Sequence, residues 1–151
     1  LDGEGHIYIA DWRNDRIQKF TADGKWEASI GSSGSGVGQL NRPNGLAVDS
    51  DGDIYVADWM NNRVQVFAPD GRYITEFHGQ AELSKWGRDK LASNPDMIRQ
   101  RSLAYANDPG YEQGLAHPCA VKIDSQGRIV IIDHTRNRLQ VYIKEAEPAL
   151  V

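Results

Sequence analysis

Hydrophobic positions along this chain come in short runs of about five residues, rich in isoleucine, valine, tyrosine and phenylalanine. Asp-Gly, Gln-Gly or Asx-rich tetrads separate the runs, which is the composition of tight turns between consecutive antiparallel strands. In the middle of the chain the pattern predicts four strands: a at residues 45–49, b at 54–57, c at 63–67 and d at 73–77. The predicted unit is therefore a four-stranded meander.

That unit recurs. Gly5 to Phe20 (GHIYIADWRNDRIQKF) aligns without a gap to Gly52 to Phe67 (GDIYVADWMNNRVQVF), and Gly127 to Tyr142 (GRIVIIDHTRNRLQVY) is a third copy. The first copy lacks strand a, because the chain opens inside a repeat at the Asp2-Gly3 turn, and the third ends after strand c near Ile143. About ten strands in three units are expected.

Three segments of the complete copy, Pro43-Asn-Gly-Leu-Ala-Val-Asp49, Ile54-Tyr-Val-Ala-Asp58 and Asn61-Asn-Arg-Val-Gln-Val-Phe67, resemble the NHL repeat. The third copy departs from it, with Ala120 at the position of Gly45 and Arg136 at that of Asn61. The resemblance implies an all-β fold of β-propeller blades packed face to face around an axis. Blade 1 is expected, in part, over residues 1–31 and blade 2 over 43–79; a helical insertion follows over 81–113, then a partial blade 3 over 117–143.

Propellers of this family resemble closed six-bladed rings, so three blades make half a ring and leave two apolar blade faces in water. Either the chain is an excerpt of a longer propeller, or two copies close a six-bladed ring as a head-to-tail homodimer. Self-association is the expectation for the isolated chain.

Ser84 can cap a first helix running through Leu91, with Leu83, Trp86 and Leu91 as its apolar stripe, and Asn94-Pro95-Asp96 restarts a second helix that carries Met97, Ile98, Leu103 and Tyr105. Five basic residues (Lys85, Arg88, Lys90, Arg99, Arg101) face three acidic ones (Glu82, Asp89, Asp96) between residues 81 and 106. A lid or blade-edge brace is the simpler reading of this hairpin, and a docking surface the sharper one.

In an up-and-down meander the b–c loops and d–a connections share one end. The insertion therefore lies on the same face as Trp12 and Trp59, with His134 at the equivalent place, beside Arg13, Met60 and Thr135, and with Asn44 and Cys119 reaching towards the axis. A tryptophan in a loop offers a large rigid apolar area and one donor, so Trp12, Arg13, Asn44, Trp59, Met60 and His134 form the candidate binding surface. The competing reading is that both tryptophans pack against neighbouring blades.

Other constellations read more simply as structure. Asp11, Asp58 and Asp133, each with an arginine five residues on, recur in every blade, as a scaffold element does and a unique catalytic centre does not. Asp49-Ser-Asp51-Gly-Asp53 lacks the glycine and the bidentate glutamate of a calcium loop and reads as a hairpin turn. His117 and His134 are too few for a metal centre in one chain, and His117 with Cys119 lacks an orienting third group.

No catalytic residue, metal or cofactor is therefore assigned. The function expected is a non-catalytic interaction or scaffold module for a protein, peptide or glycan. A propeller hydrolase or lyase, with an axial metal held by His117 and His134 on ring closure, is the alternative. A net charge of −4 gives no basic footprint for nucleic acid. No run approaches the ~20 apolar residues of a membrane-spanning helix. The single cysteine, Cys119, suits an oxidising or a reducing compartment equally, so localisation stays open.

Overall fold

The computed structural model describes residues 1–82, 85–107 and 113–144. Strands β1 (Ile7–Asp11), β2 (Arg16–Phe20) and β3 (Trp26–Ile30) form the first antiparallel meander, positions b, c and d of blade 1. A two-residue parallel pair, β4 (Ser32–Ser33) with β5 (Gln39–Leu40), lies in the connection to blade 2. Blade 2 is complete, with β6 (Pro43–Val48), β7 (Ile54–Asp58), β8 (Arg63–Phe67) and β9 (Tyr73–Phe77) in that order across the sheet. Helices α1 (Lys85–Ala92) and α2 (Pro95–Asn107) follow, and then β10 (Pro118–Ile123), β11 (Arg128–Asp133) and β12 (Arg138–Ile143), which are strands a, b and c of blade 3. Strands c and d of blade 2 match the expected limits. Strand a begins two residues early, because a bulge lets Pro43 pair with Asp58 before Gly45 pairs with Ala57.

Strand periodicity gives each blade two apolar faces, as a layer between two neighbours requires. Leu46, Val48, Ile54, Val56 and Phe67 of blade 2 meet Tyr8, Ala10, Ile17 and Ile30 of blade 1, with Leu40 of the connection sealing the layer. Ala47, Tyr55, Val64, Val66 and Phe77 look the other way, to Val121, Ile123, Ile129, Ile131 and Tyr142 of blade 3 and to Leu115. Each fully buried aliphatic or aromatic side chain contributes about 1.5–3 kcal/mol. The interblade layers are therefore the core.

The innermost strands approach closest at Gly45. A Cβ there would stand 2.9 Å from the Ala120 Cα and 3.0 Å from the Cys119 carbonyl oxygen, so the glycine is set by backbone contact between β6 and β10.

The a–b turns share one design. Asp49 accepts the amides of Asp51 and Asp53 on Oδ1 and the Tyr55 hydroxyl on Oδ2; Asp2 and Asp124 receive the corresponding amides in their own turns. Gly52 closes the Asp49 turn at φ +85°, where a side chain would be strained. The acidic cluster is filled by a cation of the chain itself: Lys144 Nζ, just past β12, lies 2.9, 2.7 and 2.8 Å from Asp49, Asp51 and Asp53 and ties blade 3 to blade 2.

In the insertion, Asn94 caps α2 as its sequence implies, its Oδ1 accepting the amides of Asp96 and Met97. The expectations for Leu83, Ser84 and the Tyr105 side chain fall outside the described residues. The apolar stripe does not become a core. Trp86, Met97, Ile98 and Leu103 are exposed, because the two helices pack chiefly on each other and α1 contributes no buried side chain.

Two outcomes are expected. Gly45→Val forces β6 and β10 apart and should cost about 1–3 kcal/mol in urea denaturation, as overpacking does. The second concerns pH. Burial opposes ionisation of Asp49, but hydrogen bonds from Lys144, Tyr55 and the Asp53 amide outweigh it and hold its carboxyl below the usual range. Desolvation likewise opposes charge on Lys144, and the three carboxylates overcome it and raise its pKa. A depressed carboxyl contributes stability above its unfolded value near 4, lost as pH falls through the folded pKa; a raised lysine contributes below about 10.5, lost only at higher pH. Lys144→Met should thus be less stable by about 1 kcal/mol on a plateau between those limits. The deficit should shrink in acid when unfolding is measured against pH.

Candidate interaction face

The b–c loops and d–a connections meet at one end of the blades, and a repeated clamp fixes them there. Asp58, at the end of β7, is fully buried and accepts four hydrogen bonds. The Asn41 amide reaches Oδ1 at 2.7 Å, while Asn61 Nδ2, Arg63 Nε and Gln65 Nε2 reach Oδ2 at 2.9, 2.8 and 3.2 Å. Arg63 extends the clamp, donating to the carbonyls of Gly36 and Gln39 and to Glu76. Asp133 repeats the arrangement with the Ala116 amide, Arg138 and Gln140, and Arg138 holds the Gly114 carbonyl at 2.8 Å. Asp11 makes only the side-chain bonds, with Asn14, Arg16 and Gln18; the Arg16 and Asn14 contacts hold its carboxyl below the usual range. Asp58 and Asp133, with Arg63 and Arg138, are scaffold, each pair tying a strand end to the incoming connection.

A second device joins blades. Asp15 and Asn62 stand at the same repeat position, with φ of +52° and +53°, a conformation Asx residues adopt more readily than most. Asp15 Oδ1 accepts the Arg42 amide at 2.7 Å, and Asn62 Oδ1 accepts the His117 amide at 2.8 Å. Each b–c loop thereby sets the first residue of the next blade, and both residues so held are also left-handed, at +54° and +53°.

The side chains carried by these loops form a row across three blades. The Trp12 and Trp59 rings lie 6.3 Å apart, and His117 meets Trp59 edge-on at 5.5 Å. The His117 Nδ1 is 2.8 Å from the Thr135 hydroxyl of the third b–c loop. Arg42 lies over Trp12 at 5.2 Å and Arg13 at 6.0 Å, both within cation–π range. Trp12, Arg13, Asp15, Asn41 and Arg42 line an open cleft of about 500 Å³. Among the described residues neither guanidinium pairs with a carboxylate, because Asp15 is committed to the Arg42 amide and to the Ser33 hydroxyl at 2.6 Å. The Trp59 indole N–H is buried without a hydrogen-bond partner among the described residues.

Of the six residues expected at the face, Trp12, Arg13 and Trp59 are brought together. Asn44, Met60 and His134 are exposed, and among the described residues no ring contact joins them to the row. Asn44 sits in the bulge of β6, which re-aims its side chain. Arg42 and His117 are the additions. They occupy one repeat position, the residue before Pro43 and Pro118, and that equivalence was the signal available in the sequence. Cys119 is a half-buried free thiol in the bulge of β10.

The family model for the NHL repeat matches residues 40–67, which cover the clamped end of the connection and strands a to c of blade 2. Residues 40–67 carry an NHL repeat, and the chain has the fold of a β-propeller segment. Among solved structures this chain is similar to a structural genomics protein of unknown function from Bacteroides thetaiotaomicron, at 20% identity and a TM-score of 0.60, over 91% of this chain and 32% of that one. It is similar to a streptogramin B lyase at 14% identity and TM-score 0.55, over 95% and 39% of the two chains. An auxiliary nutrient binding protein from B. thetaiotaomicron matches at 17% identity and TM-score 0.54, over 91% and 34%. At these identities the likeness is one of fold. The chain spans about a third to two fifths of the length of those structures. No curated protein matches it.

Removing the Asp58 carboxylate strands the buried Arg63 and frees the connection bearing Asn41 and Arg42. Asp58→Ala should cost about 3–5 kcal/mol, in the range for breaking one side of a buried ion pair. Asp11→Ala, at the half-buried copy of the clamp, should cost far less. Denaturant midpoints of the two variants test the contrast.

Proposed function

We propose that this NHL segment is a non-catalytic interaction module that holds a protein, peptide or glycan on the face formed by its b–c loops and d–a connections. The observation that carries the reading is the Trp12–Trp59–His117 row beside a cleft lined by two arginines that have no carboxylate partner among the described residues. Aromatic and arginine side chains are the residue types that dominate binding hot spots, since they join rigid apolar area to directional donors. The rings span loops of successive blades, so an elongated ligand can contact several at once, with Asn44, Met60 and His134 at the rim.

The reading as a hydrolase or lyase with an axial metal gains no support of its own. Among the described residues no three histidine, cysteine, aspartate or glutamate side chains converge. The activity named for the streptogramin B lyase belongs to that protein.

Printed panels of peptides and of glycans give the test. The segment should retain a defined set of ligands, and Trp12→Ala combined with Trp59→Ala should weaken retention at least tenfold while leaving the far-UV circular dichroism spectrum unchanged. Absence of selective retention on both panels, or retention unaffected by the double substitution, would remove the proposal.

A further inference from the structure

The junction between blades 1 and 2 carries charge that the repeat does not require. Trp12, Arg13, Asp15, Asn41 and Arg42 line the cleft there. At the junction between blades 2 and 3 the same repeat positions hold Trp59, Met60, Asn62, Ala116 and His117. The tryptophan and the left-handed Asx residue persist, because the aromatic row and the cross-blade hydrogen bond use them, whereas both arginines are replaced. The cross-blade bond reaches the backbone amide of Arg42, so it places the side chain without engaging the guanidinium. The guanidinium carbons of Arg13 and Arg42 lie 6.0 and 5.2 Å from the Trp12 ring centroid, and Asp15, the acidic residue beside them, is held by the Arg42 amide and Ser33. Two cations gathered on one ring repel each other, and a bound anion turns that repulsion into attraction.

We infer that this cleft binds the carboxylate of a uronic acid residue in an acidic glycan, an inference that rests on the reading of the loop face as an interaction surface and names its ligand. Two arginines against one aspartate give the lining a formal charge of +1, which matches a monoanion, while the equivalent positions of the next junction carry none with His117 neutral. A guanidinium meets a carboxylate as a planar fork with two parallel N–H···O bonds. Sugar hydroxyls both donate and accept, and the Asn41 side chain brings a donor and an acceptor to the same cleft. The indole of Trp12 offers flat apolar area to the C–H face of a pyranose ring. Trp59 continues that platform 6.3 Å away and His117 follows it, so the anion sits at the blade 1 end and further sugar residues run towards blade 3. An acidic peptide is served less well, because peptide anchors are side chains held in desolvated pockets and this cleft is open.

Isothermal titration calorimetry tests it at about pH 7.5, above the ordinary histidine pKa near 6.5. The probes are oligosaccharides of galacturonate, glucuronate and mannuronate, each as the free acid and as its methyl ester. At least one free acid should bind, with its ester at least tenfold weaker, and added salt should weaken the acid more than the ester. Arg13→Met combined with Arg42→His installs the residues that the second junction already carries on the same scaffold. That variant should lower the affinity for the acid to that for its ester, with the far-UV circular dichroism spectrum unchanged. The inference is overturned if no free acid binds, if acid and ester bind equally, if the variant keeps the preference, or if an aspartate oligomer of equal charge displaces the uronate at equal concentration. Retention of neutral glycans or peptides through the two tryptophans, with no preference for free acids, overturns the uronate alone and leaves the interaction face standing. Loss of every ligand on the printed panels removes both.

Discussion

Each d–a connection in this fold ends on a buried carboxylate, and the rest of the structure depends on that contact. A connection between blades crosses the end of the propeller with few backbone partners of its own, and unpaired amides and carbonyls there would carry a penalty. Asp58 takes the Asn41 amide while Arg63 takes two carbonyls of the same connection, so one ion pair satisfies both signs of backbone polarity. Leu40 is thereby carried into the layer between blades 1 and 2, and Leu115 enters the next layer beside the Asp133 clamp. Clamp and core are coupled: the polar contact sets the path, and the apolar residue on that path seals the layer.

Much of this was legible in the sequence because the information repeats. Three copies of the same strand–turn–strand text place every b and c strand, and the five-residue spacing from aspartate to arginine recurs with them. Recurrence argued for scaffold over catalysis, and the hydrogen bonds bear that out at Asp58 and Asp133. The glycine at position 45 also finds its reason: it leaves room for the Ala120 Cα and the Cys119 carbonyl oxygen of blade 3.

What was not legible depends on contacts between distant residues. Nothing around Lys144 signals that it will reach across to Asp49, Asp51 and Asp53, because the partners are separated by most of two blades. Arg42 and His117 share a repeat position, but a non-glycine residue in the left-handed region before a proline is disfavoured locally and is imposed by the neighbouring Asp15 and Asn62. The insertion shows the opposite limit. Its helix starts are local and were readable from Asn94-Pro95, whereas the surface its apolar residues meet is not local, and they stand exposed.

The interaction face is consequently a property of blade junctions more than of single blades. Asp15 of one blade fixes Arg42 of the next, and Asn62 fixes His117, so each cross-blade hydrogen bond places a side chain that the following loop cannot place alone. The two tryptophans meet only because the blades that carry them are packed by the layer around Ile17, Val56 and Phe67. Anything that loosens a junction therefore spreads the row of rings before it unfolds a blade.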